Sequence, residues 1–254
     1  MTASADGRGP RWGLVADVHS NLQALEAALG WIDARGVDAI WCLGDVVGYG
    51  GDPAACIARV RERCAGTVRG NHDVAVVDPR LREWFNPHAR AAIERQAELL
   101  GDEERTWLAE LPSTIELDDA SLAHSGFADP DAFDYVVTAR QAAIEIDALP
   151  GRLGFYGHTH VPDAWRRGES RRVEQIPLRE GPEGISLEKG RWIVNPGAVG
   201  QPRDRDPRAA CAVFDTGSAV LEWARIPYDV EAAQEAIRHA GMPDFEARRL
   251  AVGM

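Results

Sequence analysis

The sequence lacks any segment that would cross or enter a membrane. None of its apolar runs is long enough to span a bilayer, and residues 1–10 are small and polar, without the apolar stretch of a secretion signal. We therefore expect no membrane association and a cytoplasmic location. Residues 1–10 are predicted to form a flexible tail.

Cysteine pairs of the kind that bind zinc or form structural disulfides are also missing. The chain has four cysteines, and no two of them are spaced as C-x-x-C. Cys42 lies in an apolar run, and Cys56 and Cys64 lie in a helical pattern. Reduced, packed thiols in a cytosolic protein explain this distribution better than disulfide bonds or a zinc knuckle.

Positive charge is outnumbered in this chain, which has 28 Lys and Arg residues against 40 Asp and Glu residues. The formal net charge is -12, whereas sequence-independent binding to the phosphates of nucleic acids needs a basic surface. We therefore expect no strong nucleic-acid binding. Part of the acidity has a second explanation, because carboxylates that bind metal ions are counted here as bare charges.

No repeat, low-complexity tract or linker divides the chain. Its 254 residues, 45% of them hydrophobic, can bury a sizeable core as one large α/β domain or as two small ones. Because no boundary is visible, we predict a single domain over residues 1–254.

The first part of the chain repeats the order strand, polar motif, helix. Apolar runs predict strands at residues 11–16, 37–43 and 67–69. A capping box from Ser20 to Gln23 predicts the start of the first helix, and Asp52-Pro53 predicts the start of the second. This order is typical of a mostly parallel sheet with helices on its faces.

Residues 78–111 have a helical pattern, with predicted helix starts at Asn86 and Asp102. We expect this insertion to form a lid or a dimer surface near the site and to help choose the substrate, so the protein could be a homo-oligomer. Thr138 begins a second capping box, and Asp229 is predicted to begin the last helix. Further strands are predicted at residues 114–117, 121–124, 153–156, 164–167, 172–176, 192–194, 210–214 and 220–226.

Residues of metal-binding type follow several predicted strands. In open α/β sheets, sites form outside the carboxyl ends of the strands. His158 and His160 follow an apolar run, and we expect both side chains to leave the strand on the same side because they are two positions apart. Five of the seven histidines occur at strand ends; only His88 and His239 lie in predicted helices. The strand-end set is Asp17, His19, Asp45, Asn71, His72, His124, His158 and His160.

Mixed carboxylate, imidazole and amide ligands suit Mn, Fe, Co, Ni or Zn rather than calcium. The set exceeds what one ion needs, and two ions about 3.5–4 Å apart with a shared carboxylate would use all of it. Alone, each residue is explained as well or better by a turn or by a hydrogen-bonded core position. Their joint occurrence favours a site with two divalent transition-metal ions.

These segments, in this order, resemble the calcineurin-like metallophosphoesterase superfamily, over residues 12–200. The matching motifs are Asp17-x-His19, Gly44-Asp45, Gly70-Asn71-His72-Asp73, His124 and Gly157-His158-x-His160. The run N-P-G-A-V-G-Q-P-R that ends at Arg203 further resembles the small bacterial and archaeal phosphodiesterase-type branch. We expect a four-layer α/β/β/α sandwich of two mixed sheets flanked by helices.

The resemblance also implies a role for each residue. His72 would protonate the leaving oxygen or stabilise the charge of the transition state, with Asp73 orienting its ring. A hydroxide between the ions would attack phosphorus, and manganese is the expected active form. One ion would be held by Asp17, His19, Asp45 and His160, and the other by Asp45, Asn71, His124 and His158.

The activity implied is metal-dependent hydrolysis of a phosphodiester or a small phosphorylated molecule. Protein Ser/Thr phosphatases of the superfamily carry G-D-x-x-D-R-G, but the run from Gly44 to Gly50 lacks the arginine that grips phosphate. A phosphomonoesterase, a protein phosphatase and a nucleoside-polyphosphate hydrolase remain alternatives. A non-catalytic scaffold is disfavoured because His72 is present. Arg203 could contact substrate phosphate, although a solvated, salt-bridged loop explains it equally well; Tyr49 either lines the cleft or packs within its loop.

Overall fold

The structure is a computed structural model that describes residues 9–169 and 172–254, so most of the predicted tail lies outside the described residues. The strands are β1 Arg11–Val15, β2 Ala39–Cys42, β3 Gly66–Thr67, β4 Thr114–Glu116, β5 Ala120–Ala123, β6 Leu153–Phe155, β7 Asp163–Arg167, β8 Val173–Gln175, β9 Ile185–Ser186, β10 Arg191–Asn195, β11 Ala209–Asp215 and β12 Val220–Ile226. The helices are α1 Leu22–Asp33, α2 Pro53–Arg63, α3 Asn71–Val77, α4 Pro87–Leu99, α5 Asp102–Glu110, α6 Ala139–Ala148, α7 Val230–His239 and α8 Asp244–Leu250, with a 3-10 helix at Pro79–Trp84.

The strands form two six-stranded mixed sheets. The first has the order β3-β2-β1-β11-β12-β9, and the second has the order β4-β5-β6-β10-β7-β8. In the first sheet β1 pairs in parallel with β2 and antiparallel with β11. In the second, β6 pairs in parallel with both β5 and β10. The prediction of two mixed sheets flanked by helices is confirmed.

The alternation of side chains along each strand builds three apolar layers between the four layers of the sandwich. Leu14 on β1 and Phe155 on β6 belong to the core between the two sheets. The next residue, Val15, belongs instead to the core between the first sheet and its helices. Ile193 of the second sheet packs in a third core with residues of α6, such as Ile146.

Truncating the core between the sheets should destabilise the protein strongly. Leu14 is fully buried, so Leu14→Ala is expected to lower the free energy of unfolding by about 2–5 kcal/mol, because it removes apolar contacts and leaves a cavity. Leu99→Ala is the matched control, at a leucine that is 37% exposed, and should change the free energy of unfolding by about 0.5 kcal/mol or less. Urea unfolding at constant metal content measures both. Equal effects of the two changes would contradict a continuous core at Leu14.

Helix starts show which local predictions hold. The predicted capping box at Ser20 is wrong: α1 begins after Asn21, whose side-chain oxygen accepts from the amide of Ala24 at 3.1 Å. The hydroxyl of Ser20 instead donates to Oε1 of Gln96, at 3.1 Å. The cap at Thr138 is confirmed, because its hydroxyl accepts a hydrogen bond from the backbone of the third helical residue, Gln141. The reciprocal bond of a capping box is not made, since Oε1 of Gln141 accepts from the amide of Val137 instead of that of Thr138.

Three short elements escaped prediction, namely α3, β9 and α8. The helix α3 begins at Asn71, inside a motif for which the sequence predicts only that it follows the strand at residues 67–69. Elsewhere the predicted helices at Asn86, Asp102 and Asp229 start where expected. All four cysteines are free, as predicted. Across residues 9–169 and 172–254, every helix is too short or too polar to cross a bilayer.

Candidate active site

The candidate site lies where several strands of both sheets end. Asp17 follows β1, Asp45 follows β2, His124 follows β5, and His158 and His160 follow β6. The loops after β1 and β2 continue the parallel pairing beyond the strands, since the amide of Asp17 donates to the carbonyl of Gly44 at 3.1 Å. The backbone hydrogen bonds therefore hold the first two motifs side by side.

The site residues are aimed by turns rather than by strands. β6 already ends at Phe155, so the expectation that His158 and His160 leave a strand on one side is wrong. Both have left-handed backbone conformations, with φ of 68° and 60°, and so do Asp17 (52°) and Asp45 (53°). Non-glycine residues seldom adopt this conformation, and such residues cluster at functional sites.

Two groups of buried acidic and imidazole side chains share one carboxylate. Asp45 belongs to both groups, and within each group the potential ligand atoms lie within 4.8 Å of one another. The amide oxygen of Asn71 lies 3.3 Å from Nε2 of His124, beside the second group. The first group is Asp17, His19, Asp45 and His160, and the second is Asp45, His124 and His158.

Backbone carbonyls determine which nitrogen of three histidines carries the proton. Nδ1 of His19 lies 2.9 Å from the carbonyl of Val47, and Nδ1 of His160 lies 2.6 Å from that of Gln201. Nδ1 of His124 makes the same kind of contact with the carbonyl of residue 43, at 2.8 Å. A carbonyl can only accept, so each Nδ1 must donate, and in the neutral form of each ring Nε2 carries the lone pair that would bind a metal ion.

The unprotonated nitrogens converge without a donor between them. Nε2 of His19 and Nε2 of His160 are 3.0 Å apart, so two lone pairs face each other. Nε2 of His158 is buried and has no hydrogen-bond partner among the described residues. Two buried carboxylates lie in the same place, and burying charge is costly unless it is paired. This donor set fits divalent metal ions.

Burial and neighbouring charge put most of these groups in the ionisation state that a metal ligand needs. Burial lowers the pKa of His19 and His160 well below the ordinary value and that of His158 to about 3, so all three are neutral at pH 7. Burial opposes ionisation of Asp45, but the neighbouring imidazoles outweigh it and lower its pKa. Burial likewise opposes protonation of His124, but Asp45 outweighs it and raises the pKa to about 9.

The predicted role of Asp73 is wrong. Its Oδ1 accepts from the amide of Val47 at 3.1 Å, and its Oδ2 accepts from the amide of Gly70 at 3.0 Å, so it caps α3 and holds the loop after β2. Nδ1 of His72 has no hydrogen-bond partner in the described part of the chain. The ring of His72 is instead held by packing, 4.5 Å from the ring centroid of Tyr49.

A cleft with a volume of about 350 Å³ opens beside the two groups. Its lining includes Asp45, His72 and Arg203. Tyr49 also lines it, so of the two positions considered for this tyrosine the structure shows the one at the cleft. The insertion of residues 78–111 supplies part of the wall, through residues 84–86 and 89. On the other side of the cleft, the loop between β5 and α6 contributes residues 132, 133 and 135.

Arg203 lies at the cleft and not in a solvated, salt-bridged loop. Its Nη2 donates to the hydroxyl of Tyr49 at 3.2 Å and to Oε1 of Gln201 at 3.1 Å. The neighbouring Arg208 does pair with surface carboxylates. Arg249, from α8, also lines the cleft. Sequence reasoning missed it, because no motif marks this short helix.

Helix α4 also supports the loop that follows Asp45. Gln96 is fully buried, and its Nε2 donates to the carbonyl of Gly50 at 2.8 Å while its Oε1 accepts from the amide of Gly48. The insertion therefore holds the loop that follows Asp45, in addition to forming part of the cleft wall.

A methyl group at Gly70 is expected to displace the shared carboxylate. A Cβ there would lie 2.0 Å from Oδ1 of Asp45 and 2.4 Å from its amide nitrogen. Gly70→Ala should therefore weaken metal binding at least about tenfold, which is the lower end of the effect of losing a group that supports a ligand. Gly30→Ala is the control, since the added methyl group would have no described residue within 4 Å apart from its own helix turn. Metal titration followed by mass spectrometry measures both; wild-type affinity in Gly70→Ala would contradict this geometry.

The fold and the site together define a class of protein, an α/β/β/α sandwich with acidic and imidazole side chains gathered at the ends of its strands. The family model of the calcineurin-like phosphoesterase superfamily domain matches residues 11–219. The chain belongs to this family.

Three similar proteins cover almost the whole chain. An uncharacterised protein of Methanocaldococcus jannaschii is 32% identical over 94% of this chain and 97% of its own length. The crystal structure of a metallophosphoesterase from Sphaerobacter thermophilus is 38% identical, with a TM-score of 0.87, and covers 97% of this chain and 100% of that one. A hypothetical protein of Pyrococcus horikoshii shares the fold, at 19% identity and a TM-score of 0.76, over 96% of this chain and 98% of that one.

Proposed function

We propose that this protein is a metal-dependent hydrolase of a phosphodiester or of a small phosphorylated molecule, with two divalent metal ions at its site. The observation that carries the proposal is that two groups of metal-type ligands share Asp45 and adjoin an open cleft. The membership of the family, which comprises phosphoesterases, supports the same class of reaction.

Each ion is assigned its own set of ligands, with Asp45 common to both. Asn71 and His124 would belong to the second ion, whose set is completed by His158. The first ion would be held by Asp17, His19, Asp45 and His160. When bound, such ions supply a water nucleophile of lowered pKa and neutralise charge on the phosphoryl group.

Substrate binding and assistance to the leaving group are assigned to residues of the cleft. Arg203 would bind oxygens of the substrate phosphate, since its guanidinium lines the cleft and a guanidinium matches phosphate geometry. The ring of His72 would donate a proton to the leaving oxygen or stabilise the charge of the phosphoryl group in the transition state. Tyr49 would position the guanidinium of Arg203 through the hydrogen bond between them.

A small substrate is favoured over a phosphoprotein. The loop that follows Asp45 reads Val46-Val47-Gly48 and lacks the arginine of the protein phosphatase motif. The cleft volume of about 350 Å³ lies near the lower end of the range for small-molecule sites. We further propose that manganese is the active metal and that the protein works in the cytoplasm, where its free cysteines stay reduced.

The insertion of residues 78–111 is proposed to help select the substrate, as a lid or as a dimer surface. Trp84 supports this, because it lines the cleft and yet is 75% exposed. Trp84→Ala should change substrate preference and leave metal content intact. Unchanged preference would count against this role.

The decisive experiment strips the protein of metal and refills it separately with Mn, Co, Ni or Zn. Each form is then assayed on an aryl phosphodiester and on the corresponding monoester. Turnover that returns with metal supports the proposal, and the ratio of the two rates shows which ester is preferred. A fully metal-loaded protein that hydrolyses neither ester would argue for a non-catalytic scaffold.

A further inference from the structure

Two guanidinium groups lie near the ring of Tyr49 at the edge of the cleft. The Cζ atoms of Arg203 and Arg249 are 5.6 Å and 5.8 Å from the centroid of that ring. The same ring lies 4.7 Å from the ring of His19 and 4.5 Å from that of His72. One aromatic ring therefore lies close to both guanidinium groups and to two histidines of the candidate site, and all but His19 of these residues line the same cleft.

A single buried carboxylate holds both arginines in place. Glu246 of α8 is fully buried, and its Oε2 accepts from Nη1 of Arg249 at 3.4 Å and from Nε2 of Gln201 at 3.1 Å. Oε1 of Gln201 in turn accepts from Nη2 of Arg203. The two guanidinium groups are thus attached to one rigid support, although their residues are far apart in the chain.

The side chains of this group comprise two guanidinium groups and one carboxylate, that of Glu246, which contacts Arg249 directly and Arg203 through Gln201. Nε of Arg249 also donates to the backbone oxygen of Met254, and both guanidinium groups line the cleft. Nε of Arg203 is buried and has no hydrogen-bond partner among the described residues. A buried charge or donor without a partner is costly, so the arrangement favours an anion in the cleft.

We propose that Arg249 is a substrate-binding residue that acts with Arg203 to recognise a phosphate group with two negative charges. The substrate class is a small molecule with a terminal phosphate, as in a phosphomonoester, rather than a simple diester with one charge. This inference rests on the proposed phosphoesterase function. Guanidinium groups suit the role because they remain charged and bind two phosphate oxygens at once.

The test compares Arg249→Met with Arg248→Met in the metal-loaded protein. Arg248 is the matched control, because it is the next residue of α8 and its side chain is 79% exposed, in a surface pair with Asp244. The substrates are 4-nitrophenyl phosphate and its methyl ester, which share a leaving group and differ by one charge. Arg249→Met is expected to raise KM for the doubly charged substrate about 10- to 100-fold, the value of a charge-assisted hydrogen bond.

In the same variant, KM for the methyl ester and kcat for both substrates should change by less than about threefold, a fraction of the effect of one such hydrogen bond. Arg248→Met should leave all four constants as in the wild type. Wild-type KM in Arg249→Met would overturn the proposal. Equal losses on both substrates would overturn it too, because they would indicate a structural role.

A binding measurement separates this inference from the proposed function. Inorganic phosphate is titrated into the metal-loaded protein by calorimetry, with metal content checked in every variant. Phosphate should bind at least about tenfold more weakly to Arg249→Met than to the wild type or to Arg248→Met. If the wild type hydrolyses neither substrate, the proposed function fails, and phosphate binding still decides the role of Arg249. Equal phosphate affinity in all three proteins would overturn the proposed role of Arg249.

Discussion

Replacing Asp45 with asparagine is expected to weaken metal binding at both positions by more than about a hundredfold. Losing a group that merely supports a ligand weakens metal binding about 10- to 100-fold, and losing a ligand itself should weaken it more. Asp45 belongs to both groups, so one substitution removes a negative charge from each. Asn retains the shape of the side chain, so the loss reports the charge rather than the packing.

The contrast with Asp17 makes this prediction specific. Asp17 belongs to the first group alone, so Asp17→Asn should reduce the bound metal to about one ion per chain under conditions where Asp45→Asn retains almost none. Asp118→Asn is a control on an exposed aspartate in the turn between β4 and β5. Metal content after gel filtration, measured by mass spectrometry, distinguishes the three. Two ions retained in Asp45→Asn would rule out the shared ligand.

Removing the ring of His72 is expected to lower kcat by about 10²- to 10⁴-fold, the usual contribution of a group that moves a proton in the transition state. Metal content should stay at the wild-type level in His72→Ala. The side chain is not part of either ligand group, and the contact of this residue with Asp45 is made by its backbone amide, at 2.8 Å. His88→Ala, at an exposed helical histidine, is the control and should leave both kcat and metal content at the wild-type level.

The leaving group decides between the two roles left open for His72. If its ring protonates the leaving oxygen, His72→Ala should lose far more activity on an alkyl ester than on a 4-nitrophenyl ester, whose leaving group needs little protonation. Equal losses would favour stabilisation of charge on the phosphoryl group. Unaltered rates on both esters would remove His72 from the mechanism.

Much of the fold was predictable because periodicity is a local property. Alternation of apolar residues indicated strands such as β12, whose predicted bounds match those observed. Caps at Asn86 and Thr138 were predictable for the same reason, since each contact joins residues three positions apart or fewer. The cap of α1 was misplaced by one residue, because the hydroxyl of Ser20 is engaged by Gln96, which is distant in sequence.

The sequence alone determined the composition of the candidate site: which donors follow which strands, and hence the family to which the chain belongs. Tertiary structure alone decided how those donors are aimed. The left-handed turns at Asp17 and His160, the use of Asp73 as a cap, and the arrival of Arg249 at the cleft have no signature in neighbouring residues. The physical reason is that each depends on contacts between segments far apart in the chain, such as Gln201 with a residue of α8. Such contacts exist only once both sheets have packed.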